Sequence, residues 1–274
     1  MLKSILLRCM RALGLAALAD RAWYGFNRLC NSGRNRRFRT THPGLTLPPD
    51  YMLYESYRLD QQLYYTDGQA TAQWICAQLE PYGSLATATV LDWGCGPARV
   101  IRHLPQLLPG ARLAGSDYNE ATIEWCRAHI AGIDFRSNGV QPPLDFGRDT
   151  FDAAYALSVL THLSEEAQVA WMTELYRVLK PGGLLLLTTH GAAFEEKLTA
   201  GEKLRFRRGE CIEHPVEQEG HRSYSSFQPR AFMERLFSRN WQLLNFAAGK
   251  QHAWGPEQDT WIVRKKSVMV MSNE

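Results

Sequence analysis

The chain has 274 residues, 45% of them hydrophobic and 22% charged, which is ordinary globular composition and enough for one α/β domain with some decoration. Its six cysteines (Cys9, Cys30, Cys76, Cys95, Cys126, Cys211) form no CxxC pair and no zinc-ligand spacing, so a disulfide framework and a zinc module are excluded and reduced thiols in a cytoplasmic protein are the expectation. The formal net charge of +3 hides an asymmetry: residues 1–50 carry nine Lys or Arg against two acids, while the remainder carries 22 against 26.

At the amino terminus, Lys3, Arg8 and Arg11 precede an apolar run from Ala12 to Ala19. This is only superficially an export signal, because Arg11 leaves the run at eight residues. A membrane span would need about twenty apolar residues. The expectation is an amphipathic helix that packs on the body or lies on a membrane. Arg28, Arg34, Arg36, Arg37 and Arg39 follow; they could meet phosphates or an anionic membrane surface, or form a solvated basic face. Residues 1–80 read as a basic helical extension or lid, with Tyr64, Tyr65 and Gly68 just before a helix opened by Asp67. Tyr51, Tyr54, Tyr57, Tyr64 and Tyr65 equally suit packing on amphipathic helices.

From Thr89 onward, apolar runs alternate with helical stretches, the pattern of parallel strands with crossover helices. Strands are predicted at Val90–Asp92, Leu113–Asp117, Ile133–Arg136, Phe151–Leu157 and Leu184–Thr189, with two more at Trp241–Ala247 and Thr260–Arg264. The first crossover helix is expected to start near Pro97 and the second is capped by Asn119. Another opens at Ser164, with Glu165 and Glu166 at its positive end, and stops at Lys180-Pro181-Gly182-Gly183. A last helix is expected from Pro229 to Arg239. The fold class is therefore α/β, a doubly wound, mostly parallel seven-stranded sheet occupying 81–274. The stretch 191–228 is too long for a simple connection and reads as an insertion.

The informative run is Val90-Leu91-Asp92-Trp93-Gly94-Cys95-Gly96-Pro97-Ala98-Arg99, a strand that delivers an acid into a glycine-rich turn. Such turns admit close approach of a ligand to backbone. A dinucleotide fingerprint wants a third glycine where Arg99 stands, so pyrophosphate binding is disfavoured. An acid two residues before the first glycine suits a ligand with a cationic end.

Asp-x-Gly-x-Gly after a strand resembles motif I of the class I S-adenosylmethionine-dependent methyltransferases, with Ala98 where many members carry another glycine. The resemblance is strong over about residues 88–190 and weak elsewhere. It implies that Asp92, Gly94 and Gly96 meet the donor, and that Asp117, 25 residues beyond Asp92, holds the ribose hydroxyls. It also implies that Tyr118 flanks the adenine, Asn138 and Gly139 form the adenine-edge loop, and Ser158 belongs to the cofactor floor. The Leu-Lys-Pro-Gly-Gly-Leu run at 179–184 is a further family signature. Related enzymes place an amino-terminal segment over the donor's methionine end, which makes Tyr65 a candidate there. Read locally, Asp92 could merely cap backbone and Asn138-Gly139 could be an ordinary turn.

His162, after the fourth strand, is the candidate general base, against the alternative of a loop anchor; His190 is a weaker candidate. No cluster of acids suggests a metal. The expected acceptor is a small molecule or glycan-linked group bearing a hydroxyl or amine. The rivals are methylation of protein or RNA with the basic leader as docking surface, and a binding protein that has lost transfer. Nucleic acid is disfavoured, because Ser158-Val159-Leu160-Thr161 stands where a base methyltransferase carries an Asp or Asn-Pro-Pro-aromatic tetrad, and no RNA-binding module is recognisable.

Overall fold

The computed structural model describes residues 16–57, 59–215, 219–220 and 223–267. Lys3, Arg8, Arg11 and the start of the apolar run at Ala12 lie outside them, as does His221. The chain divides into two units, Met1–Gly68 and Gln69–Glu274.

The first unit is helical: α1 Ala16–Thr41, α2 Asp50–Tyr57 and the start of α3 Gln61–Leu79. Leu53, Leu59 and Tyr64 form its buried cluster, with Tyr24, Leu47, Tyr54 and Tyr65 packed around it. Polar side chains tie α1 to the α2–α3 turn. Asn35 donates to the Leu59 carbonyl (2.7 Å) and accepts the Gln61 N–H (3.0 Å), while Arg34 pairs with Asp60. The helix expected to open at Asp67 begins instead at Gln61, because Asp60 accepts the Leu63 N–H (2.9 Å) and serves as the first-turn cap. Tyr64, Tyr65 and Gly68 therefore lie inside α3 rather than before it. Tyr65 sits in a ring cluster, 5.8 Å from Phe38 and 5.9 Å from His42.

The second unit is built on β1 Thr89–Trp93, α4 Leu104–Leu107, β2 Arg112–Asp117, α5 Glu120–His129, β3 Ile133–Ser137, β4 Phe151–Ala156, α6 Glu165–Val178 and β5 Leu179–Thr189. After these come α7 Ala200–Arg207, the small hairpin β6 Ile212–His214 and β7 Ser225–Phe227, α8 Arg230–Phe237, β8 Trp241–Ala247, the two-residue strands β9 Gln251–His252 and β10 Gly255–Pro256, and β11 Asp259–Lys265. The main sheet has seven strands in the order β3-β2-β1-β4-β5-β11-β8. Strands β1 to β5 are parallel, and β11 runs antiparallel to both β5 and β8. Apolar clusters cover both faces, which is why Leu184–Leu187 reads as an unbroken hydrophobic run. The strand order reverses direction at β1 and β4, and ligands of open α/β sheets bind in the crevice at the carboxyl ends there.

Two predicted elements are corrected. No helix starts at Pro97: Ala98 adopts a left-handed φ of 57°, which breaks helical continuation, and a 3-10 turn at Ile101–His103 leads into the short α4. Strand β5 begins at Leu179, not Leu184, because Leu179 already pairs with Phe151 before the register shifts across Lys180-Pro181-Gly182-Gly183. The excursion after β5 is a folded element. Thr199 and Glu202 form a reciprocal capping box on α7, and Phe194, Leu198, Phe206, Ile212 and Phe227 make a core of their own.

Candidate active site

Strand β1 delivers the chain into a turn held by its neighbour β2. The N–H groups of Gly94 (2.7 Å) and Cys95 (3.0 Å) both donate to the Ser116 carbonyl. Asp117, at the carboxyl end of β2, accepts the Gly96 N–H at Oδ2 and the Asn119 N–H at Oδ1, each at 2.9 Å, so the plane of its carboxylate is fixed by backbone. Its own carbonyl takes the Asn138 N–H (3.0 Å), and the Ser116 hydroxyl donates to Asn138 Oδ1, drawing the loop after β3 to the same place. Asn138 Nδ2 donates to the Gly139 carbonyl (2.7 Å). Asp117, Gly96 and Asn138 thus form one constellation, beside which the Tyr118 ring is partly exposed.

The two glycines of the turn have different duties. Both take left-handed φ, 78° at Gly94 and 50° at Gly96. A Cβ at Gly94 would lie 2.3 Å from Val159 Cγ2, so glycine there serves packing of the turn on the segment after β4, not a ligand's approach. A Cβ at Gly96 would meet nothing within 4 Å, which makes Gly96 the position where the turn offers open space.

Asp92 is buried, and the Tyr155 hydroxyl from β4 donates to its Oδ2 at 2.8 Å. Burial pushes its carboxyl up to about 7, with the Tyr155 bond and the Arg99 charge pulling the other way. A raised carboxyl pKa costs folding stability as pH climbs from the unfolded value through the folded one, because only the unfolded chain then loses its proton. His190, pushed down to about 3 by burial, acts with the opposite sign: stability is lost as pH falls below the unfolded value of about 6.5. Each group spans on the order of 4 kcal/mol over overlapping windows. The two slopes oppose each other between pH 4.5 and 6.5. Asp92→Asn is expected to make stability rise more steeply with pH across that interval than in the wild type, read by urea denaturation at a series of pH values; an unchanged slope would remove Asp92 from the balance.

Ser158 follows β4 in a left-handed conformation (φ 62°), a strain on the order of 1–3 kcal/mol for a residue with a side chain. Its N–H donates to Thr188 Oγ1 (2.8 Å), and its hydroxyl lies 2.9 Å from Thr161 Oγ1 and accepts from Gln258 Nε2 (2.8 Å), so three segments hold it. His162 comes next, half-buried, its Nδ1 2.8 Å from the Tyr224 carbonyl. A carbonyl can only accept, so Nδ1 bears the proton and Nε2 of the neutral ring carries the lone pair. His190 Nδ1 similarly meets the Ser226 carbonyl (3.1 Å), and its ring stacks on Phe194 at 4.2 Å. The inserted hairpin therefore pins both histidines through alternate carbonyls of one strand region. A neutral His190, half-buried against Phe194, is the weaker base of the two.

Tyr65 belongs to the first unit, in the ring cluster with Phe38 and His42. The residues that the sequence reading missed are Tyr155, Thr188, Gln258 and the carbonyls of 224 and 226. Tyr155 carried one available signal, a hydroxyl within the apolar run from Ala153 to Leu157. Among the described residues, no group of three or more His, Cys, Asp or Glu is placed to hold a metal ion. A separate cleft of about 570 Å³ lies at the amino ends of β1, β2 and β4, lined by Thr89, Arg112, Asp134 and Thr150 among others, on the edge opposite the glycine turn.

Residues 90–183 match the family model described as a methyltransferase domain. The matched segment runs from β1 into β5 of the seven-stranded, mostly parallel sheet. A probable S-adenosylmethionine-dependent methyltransferase of Mycolicibacterium smegmatis is 33% identical over 100 residues, 36% of this chain and 37% of that protein. A ubiquinone biosynthesis O-methyltransferase of Pseudomonas paraeruginosa is 30% identical over 115 residues, 40% of this chain and 48% of that one. A fatty-acid O-methyltransferase of M. smegmatis is 36% identical over 101 residues, 36% of each chain. The match spans a third to a half of the length of these curated relatives. The fold is shared with a methyltransferase of Methanosarcina mazei (TM-score 0.54, 18% identity, 69% of this chain and 97% of that one). It is shared also with the magnesium protoporphyrin IX methyltransferase of Synechocystis solved with S-adenosylhomocysteine (TM-score 0.53, 17% identity, 86% and 96%).

Proposed function

We propose that the chain transfers a methyl group from S-adenosylmethionine to an oxygen of a small-molecule acceptor. The observation that carries this reading is the turn at Gly96, where the backbone offers open space directly beside a carboxylate locked by two backbone N–H groups. A carboxylate so fixed suits the two hydroxyls of a ribose, and the partly exposed Tyr118 ring suits an adenine face. Asp92, buried and close to half-ionised at neutral pH, would gain its negative charge when a cation enters, which favours the ammonium end of the donor. When bound, the donor supplies an electrophilic methyl on a sulfonium that already has a good leaving group. The protein's share is alignment and exclusion of water, together with removal of the acceptor's proton at His162 Nε2.

Two observations favour an oxygen acceptor: the imidazole of His162, oriented through Nδ1 by the Tyr224 carbonyl in the segment after β4, and O-methyltransferases among the relatives. A glycan-borne hydroxyl remains within this class. The decisive experiment incubates the full chain with methyl-labelled donor and fractionated host extract. Label is expected in a small-molecule or lipid fraction, stable to mild base if it is an ether. Label confined to protein or RNA would replace the acceptor class, and no label in any fraction would leave a donor-binding protein without transfer.

A further inference from the structure

Helix α1 is two-faced. Asn27, Asn35 and Phe38 line its buried side, and three large apolar side chains sit on the other. Trp23 is 48% exposed, Phe26 54% and Leu29 76%, spaced by three residues so that they form one oblique stripe, with exposed Cys30 beside it. The Trp23 and Phe26 rings stack at 5.4 Å. The space at the end of the stripe is open among the described residues: a Cβ built at Gly33 would meet no atom within 4 Å. Exposure of single apolar residues is ordinary, but a stacked aromatic pair continued by a leucine on one helix is an apolar patch that asks for an occupant.

Charge identifies the occupant. Helix α1 holds six arginines and a single acid, Asp20, and Arg21, Arg28, Arg36, Arg37 and Arg39 are exposed. Residues 69–274 give the opposite balance, so the basic character belongs to this helix and its surroundings, not to the catalytic unit. A tryptophan, a phenylalanine and a leucine flanked by arginines on a helix of 26 residues is the pattern of a helix lying in the interface plane of a membrane, with rings at the headgroup boundary and guanidinium groups on lipid phosphates. A partner bound through its phosphates alone, such as a nucleic acid in water, would use the arginines and leave the leucine and the Trp23–Phe26 stack without a role. Among the described residues no helix is long and apolar enough to cross a membrane, so the contact is peripheral.

We infer that the Trp23, Phe26 and Leu29 stripe of α1, with its arginines, docks the protein onto an anionic lipid surface. The inference is independent of the methyl-transfer reading, since it concerns a helix outside the glycine turn and its test needs neither donor nor acceptor.

The test is co-flotation of the full chain with vesicles of phosphatidylcholine alone and of phosphatidylcholine with phosphatidylglycerol, at low and high salt. Binding is expected to the anionic vesicles and to weaken with salt. Trp23→Ser/Phe26→Ser/Leu29→Ser should cut partitioning by about a hundredfold or more, from lost burial of three large side chains. Arg36→Gln/Arg37→Gln should cut it by about fivefold for each charge lost, and only on anionic vesicles. The exposed positions keep the variants folded, and donor binding, measured in parallel, should match the wild type. Three outcomes overturn the inference. The first is equal flotation of wild type and the triple variant. The second is a wild type that does not float while the triple variant changes oligomeric state, which would make the occupant a second copy. The third is flotation displaced by RNA that the triple variant binds equally well.

Discussion

Asp117→Ala is expected to weaken S-adenosylmethionine binding by on the order of 10²-fold, with the fold retained. The carboxylate accepts two backbone N–H groups, from Gly96 and from Asn119, each at 2.9 Å. Hydrogen bonds to a charged acceptor contribute about 1.5–3 kcal/mol apiece, so the variant loses the template that shapes the turn as well as the acceptor for a ribose diol. Asp117→Asn should not rescue it, because one amide face would present a donor to a backbone N–H. Titration calorimetry with the donor and its demethylated product decides the matter, and thermal denaturation of the same samples separates lost binding from lost fold. Equal affinity in a folded Asp117→Ala protein would remove Asp117 from the site and, with it, the reading of the Gly96 space.

Much of this constellation was legible because it is local. An acid, a glycine turn and a second acid at the end of the next strand are close in sequence to the elements that place them, and parallel β1 and β2 put them side by side: Asp92 pairs with Gly115 and Trp93 with Ser116. The Asn119 and Ser164 caps were legible for the same reason, and both accept the N–H three residues on. What the sequence concealed depends on distant partners. Gly94 is glycine because of Val159, 65 residues away, a contact that no local pattern encodes. The Asp92–Tyr155 pair spans 63 residues and the Ser158–Gln258 bond 100. The start of α3 was misplaced because Asp60 and Asp67 are equally good caps in sequence, and the choice fell to Asp60, which also pairs with Arg34. The insertion was legible as an insertion but its internal structure was not, since its core residues are scattered in sequence, yet five of them close a cluster once the hairpin forms.

His162→Ala is expected to lower turnover by about 10²- to 10⁴-fold while donor affinity stays unchanged, with the acceptor that the labelling experiment isolates. The choice of His162 over His190 follows from their surroundings. His190 is stacked on Phe194, lies near Phe227 and is held neutral far below the ordinary imidazole range, so its proton affinity is too low for a base working near neutrality. His162 is half-buried at the carboxyl end of β4, its ring oriented by the Tyr224 carbonyl and its backbone carbonyl taking the Gly220 N–H at 2.9 Å. The alanine variant removes the imidazole together with its hydrogen bond to the hairpin. That hydrogen bond is the reason for a second readout. A general base should be replaced in part by imidazole added to the assay, which restores a proton acceptor but not a tether; a loop anchor should not be. His162→Gln sharpens the contrast, since the amide can donate to the Tyr224 carbonyl but cannot take up a proton near neutral pH. If His162→Gln keeps full turnover, or if His162→Ala loses stability with kcat intact, His162 is an anchor and transfer here rests on alignment alone.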